Sequence, residues 1–93
     1  MAQYHDEQII FTLHARKRML LRGATEEEVV LTITGGTRES AKRGKWHAVQ
    51  RFDFGHPSPI NAVVYRCKTV DVVFSAEPAG LVVLTVKVYY HNQ

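Results

Sequence analysis

One cysteine, three prolines and one tryptophan in 93 residues rule out several kinds of protein at once. Cys67 alone cannot build a disulfide framework or a cysteine-rich zinc site within the chain, and nothing points to an oxidising compartment. No apolar run approaches a membrane span, and residues 1–11 lack the basic start and apolar centre of a signal peptide. The expectation is a soluble, cytoplasmic domain with no membrane partner. The nine acids are scattered. No His-x-x-x-His or paired-carboxylate spacing appears, so neither a metal nor a cofactor is expected. Ser40, Ser58 and Ser75 sit in no nucleophile elbow, and Gly35-Gly36 has no lysine placed after it for a phosphate loop. Repeats, linkers and low-complexity tracts are absent.

What remains is one small domain over residues 1–93, with 1–8 a loose lead-in. At 45% hydrophobic and 23% charged the composition is ordinary for a folded chain. The net charge of +3 favours a polyanionic partner, weakly by itself. The most distinctive stretch is residues 14–23. As a helix it places His14, Arg18 and Arg22 in one stripe, with no acid before Glu26. A group that titrates near neutrality thus shares a face with two permanent cations. One reading is a solvated basic face, with Arg18 and Arg22 paired to Glu26–Glu28 or to Glu7. The other is a phosphate site.

Thr12 is placed to cap a helix over about 12–22, which Gly23 ends. Thr25-Glu26-Glu27-Glu28 is a capping box opening a second helix over about 25–34, with Val29, Val30 and Ile33 inward. After Gly36 the period becomes two. Short edge strand Arg38–Lys42, strand Lys45–Phe54, long strand Ala62–Ala76 and strand Leu81–Tyr90 are expected, and Gln8–Phe11 is a possible first strand. Gly55–Pro59 reads as a loop and Glu77–Gly80 as a hairpin turn. Trp46, Ala48, Phe52 and Phe54 share the core face; Val82, Leu84, Val86 and Val88 share a face of the last strand. The expected architecture is α+β, two N-terminal helices on one face of an antiparallel sheet of about four strands. The other face carries His47, Arg51, Asp71, Thr85, Lys87 and Tyr89. Cations and rings on a sheet suit single-stranded RNA.

His14-Ala-x-x-Arg18-Met19-x-x-Arg22-Gly23, followed by Thr25 and Val29, resembles the signature of the bacterial domain-of-unknown-function family 4258. The runs Tyr65-Arg-Cys-Lys68-Thr-Val70 and Val83-Leu-Thr85-Val86-x-Val88-Tyr89-Tyr90 resemble that family's tail. The His56-Pro57-Ser58-Pro59 loop and Cys67 depart from it. The family in turn resembles the barnase–EndoU–colicin–RelE group of small ribonucleases, toxins among them. The resemblance implies a RelE/barnase-like fold and a metal-independent, toxin-like endoribonuclease. In such an enzyme the 2′-hydroxyl of cellular RNA attacks its own phosphate while a cognate antitoxin or immunity protein holds the domain in check. On that reading His14, Arg18, Lys68 and Thr85 are the catalytic candidates, and Arg22, Arg51, Tyr65 and Tyr89 bind RNA. Residue parity puts Lys68 beside Val70 and Val72, away from the open face unless a bulge intervenes. Arg51 could instead pair with Asp71. The alternative to catalysis is a non-catalytic RNA- or protein-binding module, or a structural interaction domain.

Overall fold

The structure, a computed structural model, describes residues 8–93; the proposed loose lead-in lies almost wholly outside them. The element order is β1 (Ile9–Phe11), α1 (Leu13–Arg22), α2 (Glu26–Gly35), β2 (Thr37–Ser40), β3 (Lys45–Pro57), β4 (Val64–Glu77) and β5 (Gly80–His91). A short 3₁₀ turn, Lys42–Gly44, joins β2 to β3. Two helices and a sheet make an α+β domain.

Both helices begin at the expected caps. The Thr12 side chain accepts from the Ala15 amide, and Thr25 and Glu28 form a complete capping box. α1 ends where Gly23 turns left-handed at φ 85°. Its buried side is Ala15 and Met19, whereas Leu13 and Leu20 are exposed. α2 buries Val29, Thr32 and Ile33. Val30, expected inside, is exposed, and Thr32 takes its place by bonding its hydroxyl to the Glu28 carbonyl at 2.7 Å.

The sheet runs β1-β5-β4-β3-β2. It has five strands rather than four, and it is mixed: β1 pairs parallel to β5 through residues 9–11 and 81–83. This parallel pair is a correction to the wholly antiparallel sheet. It forms because Gly80 lets the chain pass close to β1, where a Cβ would stand 2.3 Å from the Gln8 carbonyl oxygen. The β3–β4 hairpin also extends further than expected. β3 continues through Pro57, past a bulge between Asp53 and His56, and the connecting loop is residues 58–63. Pro57 is tolerated at a strand end.

The helices cover Ala48, Val70, Val72, Phe74, Leu81, Val83 and Val86. Trp46 lies at the start of β3 and stays 39% exposed, so it is not core. In β5 the inward set is Leu81, Val83, Val86 and Val88, not the unbroken Val82–Val88 alternation. A register shift pairs Val83 with Phe74 and Thr85 with Val73, leaving Leu84 as the extra residue.

Lys68 sits among these apolar groups, only 4% exposed. Its Nζ lies 2.8 Å from Glu28 Oε1, donates to the Gly23 carbonyl at 2.7 Å and stands 5.1 Å from the centre of the Phe54 ring. The parity reading therefore decides its place, and Lys68 is no catalytic residue of the open face. A buried charge whose partner is removed is costly, by about 3 kcal/mol or more. Glu28→Gln should therefore lower unfolding free energy by about 3 kcal/mol, and Lys68→Met by somewhat less, because the stranded Glu28 still caps α2. The double variant should recover most of the loss. Urea denaturation of the four proteins checks the cycle; additive losses would mean the pair is not coupled.

Candidate functional site

α1 is fastened to β5 at both ends. At its start, the Thr12 hydroxyl donates to the Val83 carbonyl at 2.9 Å. At its end, Arg22 Nη1 donates to the Val86 carbonyl at 2.9 Å, and the Tyr90 hydroxyl donates to the Arg22 carbonyl at 2.6 Å. Among the described residues, β5 has no strand on its α1 side past residue 83. The His14–Arg18–Arg22 stripe therefore runs beside an open strand edge.

His14 is exposed, and its Nε2 is 3.5 Å from Arg18 Nε, a long contact in which the guanidinium faces the ring's lone pair. Neither Arg18 nor Arg22 takes an acid of α2 as partner, Arg16 pairing with Glu26 instead, and the other expected partner, Glu7, lies outside the described residues. Arg22 leads into a cleft of about 300 Å³ that it lines with Lys87, Val88 and Tyr89. A second cleft, of about 270 Å³, adjoins it through the same Val88 and Tyr89. Its other walls are Tyr65, Asn61, Ile60, Ser58 and Tyr90. The loop that forms it is held by its own bonds: Ser58 Oγ accepts from the Ile60 amide and Asn61 Nδ2 donates to the Tyr65 hydroxyl, both at 3.0 Å.

Arg22, Tyr65 and Tyr89 thus meet around one stretch of β5, with Arg18 and His14 continuing the row along α1. The other sequence-derived candidates do not join them. Thr85 lies on the open face opposite Val73. Arg51 is on that face too, but in register with Thr69, and its Nη2 points to Cys67 Sγ at 3.0 Å. The pair with Asp71 is not made: Asp71 takes His47 at 3.3 Å, and Glu39 takes the other ring nitrogen at 3.0 Å. Lys68 is spent on the core. Sequence reasoning missed Asn61 and Ser58, whose loop looked only like a departure from pattern. It placed Lys87 on the open face but did not select it, although its place beside Tyr89 was a usable signal.

Among the described residues, no group of three or more His, Cys, Asp or Glu side chains stands close enough to hold a metal ion. No described helix is long and apolar enough to cross a membrane. No family model, curated protein or solved structure matches the chain.

Tyr90 links this edge to the interior. Burial, and after it the Glu28 carboxylate, raises its pKa above the ordinary 10.0. The folded state thus favours the protonated phenol, which is also the donor to Arg22. That stabilisation is fully present below pH 10 and is lost as pH rises through the higher folded value. Tyr90→Phe should cost about 1 kcal/mol at pH 7, since a part-buried carbonyl loses its partner. The gap between wild type and variant should narrow above pH 10. Urea unfolding from pH 8 to 11 checks this; a gap that does not change with pH would contradict it.

Proposed function

We propose that the domain is a toxin-like, metal-independent endoribonuclease that takes single-stranded cellular RNA along the α1–β5 edge. The observation that carries this reading is the fastening of α1 at both ends to β5, which lines a histidine and two arginines up with Lys87 and Tyr89. The resemblance of residues 14–23 and 83–90 to family 4258, and of that family to small ribonucleases, supports it. His14 and Arg22 are eight residues apart, about 12 Å along the helix. One phosphate cannot span them, so neighbouring phosphates of a strand occupy Arg22–Lys87 and His14–Arg18. At the latter, the 2′-oxygen bonds to phosphorus and passes its proton to His14 Nε2. The bond from phosphorus to the 5′-oxygen breaks, and that oxygen takes a proton from water. Arg18 stabilises the charge that builds on the phosphorane. The products are a 2′,3′-cyclic phosphate and a 5′-hydroxyl. A cytoplasmic setting and a neutralising partner protein belong to the same reading.

The second reading, an RNA-binding module without catalysis, draws on the absence of a placed general acid among the described residues. The two are separated by incubating the protein with a labelled single-stranded RNA and looking for cyclic phosphate ends, with and without chelator. Cleavage should survive chelator, and His14→Ala should slow it about a hundred- to ten-thousand-fold while leaving stability nearly unchanged. Binding without cleavage would leave the module reading.

RNA affinity should also fall with salt. Three contacts, from Arg18, Arg22 and Lys87, at about −0.7 each give a log–log slope of roughly −2. A flat response between low and moderate salt would remove RNA as the partner.

A further inference from the structure

We infer that the two clefts flanking Val88-Tyr89 hold a single nucleotide, its phosphate on Arg22 and Lys87 and its base against Tyr89 and Tyr65. This rests on the RNA reading above and gives it a register. The clefts differ in chemistry. The first, about 300 Å³, has two cations and no acid among the described residues that line it. The second, about 270 Å³, has rings, amide and hydroxyl groups and the apolar Ile60, and no charged side chain among the described residues that line it. They share two consecutive residues, about 7 Å of strand. A ligand filling both is anionic at one end and flat and aromatic at the other, which is the outline of a nucleotide.

The polar groups fit that division. Lys87 is exposed and forms no ion pair among the described residues; its cross-strand neighbour Asp71 is turned to His47. Arg22 uses Nη1 on the Val86 carbonyl, which leaves Nη2 for a phosphate oxygen. The Val86 carbonyl faces the open edge, and strand alternation puts the Val88 amide on that edge too. On the base side Tyr89 is 52% exposed, lines both clefts and makes no ring contact with another described residue. The Tyr65 hydroxyl accepts from Asn61 and keeps its own proton to donate, and Asn61 Nδ2 keeps its second. Stacking on a tyrosine tolerates any base, so the subsite sets register along a strand rather than sequence.

The test is a binding titration of the full chain, followed by backbone NMR shifts. Its probes are uridine 5′-monophosphate, ribose 5-phosphate, inorganic phosphate and a single-stranded oligoribonucleotide with a non-cleavable 2′-O-methyl backbone. The mononucleotide should bind about tenfold tighter than ribose 5-phosphate, the increment of one base–ring stack. Tyr89→Leu should abolish that preference and keep phosphate binding, while Tyr89→Phe, which keeps the ring, should retain it. Lys87→Gln should weaken every phosphate-bearing probe alike and leave the preference intact. Equal binding of mononucleotide and ribose 5-phosphate, with the oligonucleotide still bound, would overturn the subsite and leave the RNA reading standing. So would a preference that survives Tyr89→Leu. If neither mononucleotide nor oligonucleotide binds, the RNA reading falls and the inference falls with it.

Discussion

A buried lysine sets the geometry of this domain. An ammonium group in an apolar core needs a carboxylate and a further hydrogen-bond acceptor to be tolerable there. Lys68 obtains both from the junction between the helices: Glu28 on one side and the Gly23 carbonyl on the other. Glu28 suits the task because the capping box already holds its Oε1 against the Thr25 amide at the positive end of α2. Local helix chemistry and a long-range ion pair thus use the same oxygen. Gly23 cannot be replaced without collision, since a Cβ there would stand 2.5 Å from the Tyr90 hydroxyl. With the junction fixed by Lys68 and Tyr90, the end of α1 has one position relative to β5, and Arg22 reaches the strand edge from it.

Where free charge remains on this small protein follows from that arrangement. The open face of the sheet is rich in polar groups, but they largely satisfy each other. His47 sits between Glu39 and Asp71, Thr69 bonds His91 at 2.8 Å, and Arg51 lies against the buried Cys67 thiol. The edge beside α1 differs, because among the described residues no acid lines the cleft there. Among the described residues, an anionic ligand meets cations without an acid partner at the edge, whereas on the face His47 lies between two carboxylates and Arg51 is turned to a thiol.

Much of the scaffold was legible from local rules. Thr12, Gly23 and the Thr25–Glu28 box mark helix ends through chemistry that acts within four residues, and alternation marks the long strands. The misses all involve partners distant in sequence. The three-residue strand β1 is recognisable only through its pairing with residues 81–83. The extra residue at Leu84 reverses the facing of half of β5, and no local pattern announces it. Thr32 and Val30 exchange roles because the packing of α2 against the sheet decides which is covered. For the site, the stripe on α1 was readable from spacing, but its meeting with Lys87, Tyr89 and Tyr65 was not. Parity suggested a site on the face of the sheet; the helix fastening moves it to the edge, which strands Thr85 and Arg51 and brings in Asn61.

The central claim is that α1 and the open edge of β5 act as one surface toward RNA. Hydrogen exchange of the full protein with and without a non-cleavable single-stranded RNA addresses it directly. The account predicts that protection rises together, over the same RNA concentrations, in residues 14–22 and 86–90, while residues 45–53 and 69–75 stay unchanged. Protection confined to the open face of β3 and β4, or appearing on α1 and β5 at well-separated concentrations, would contradict it.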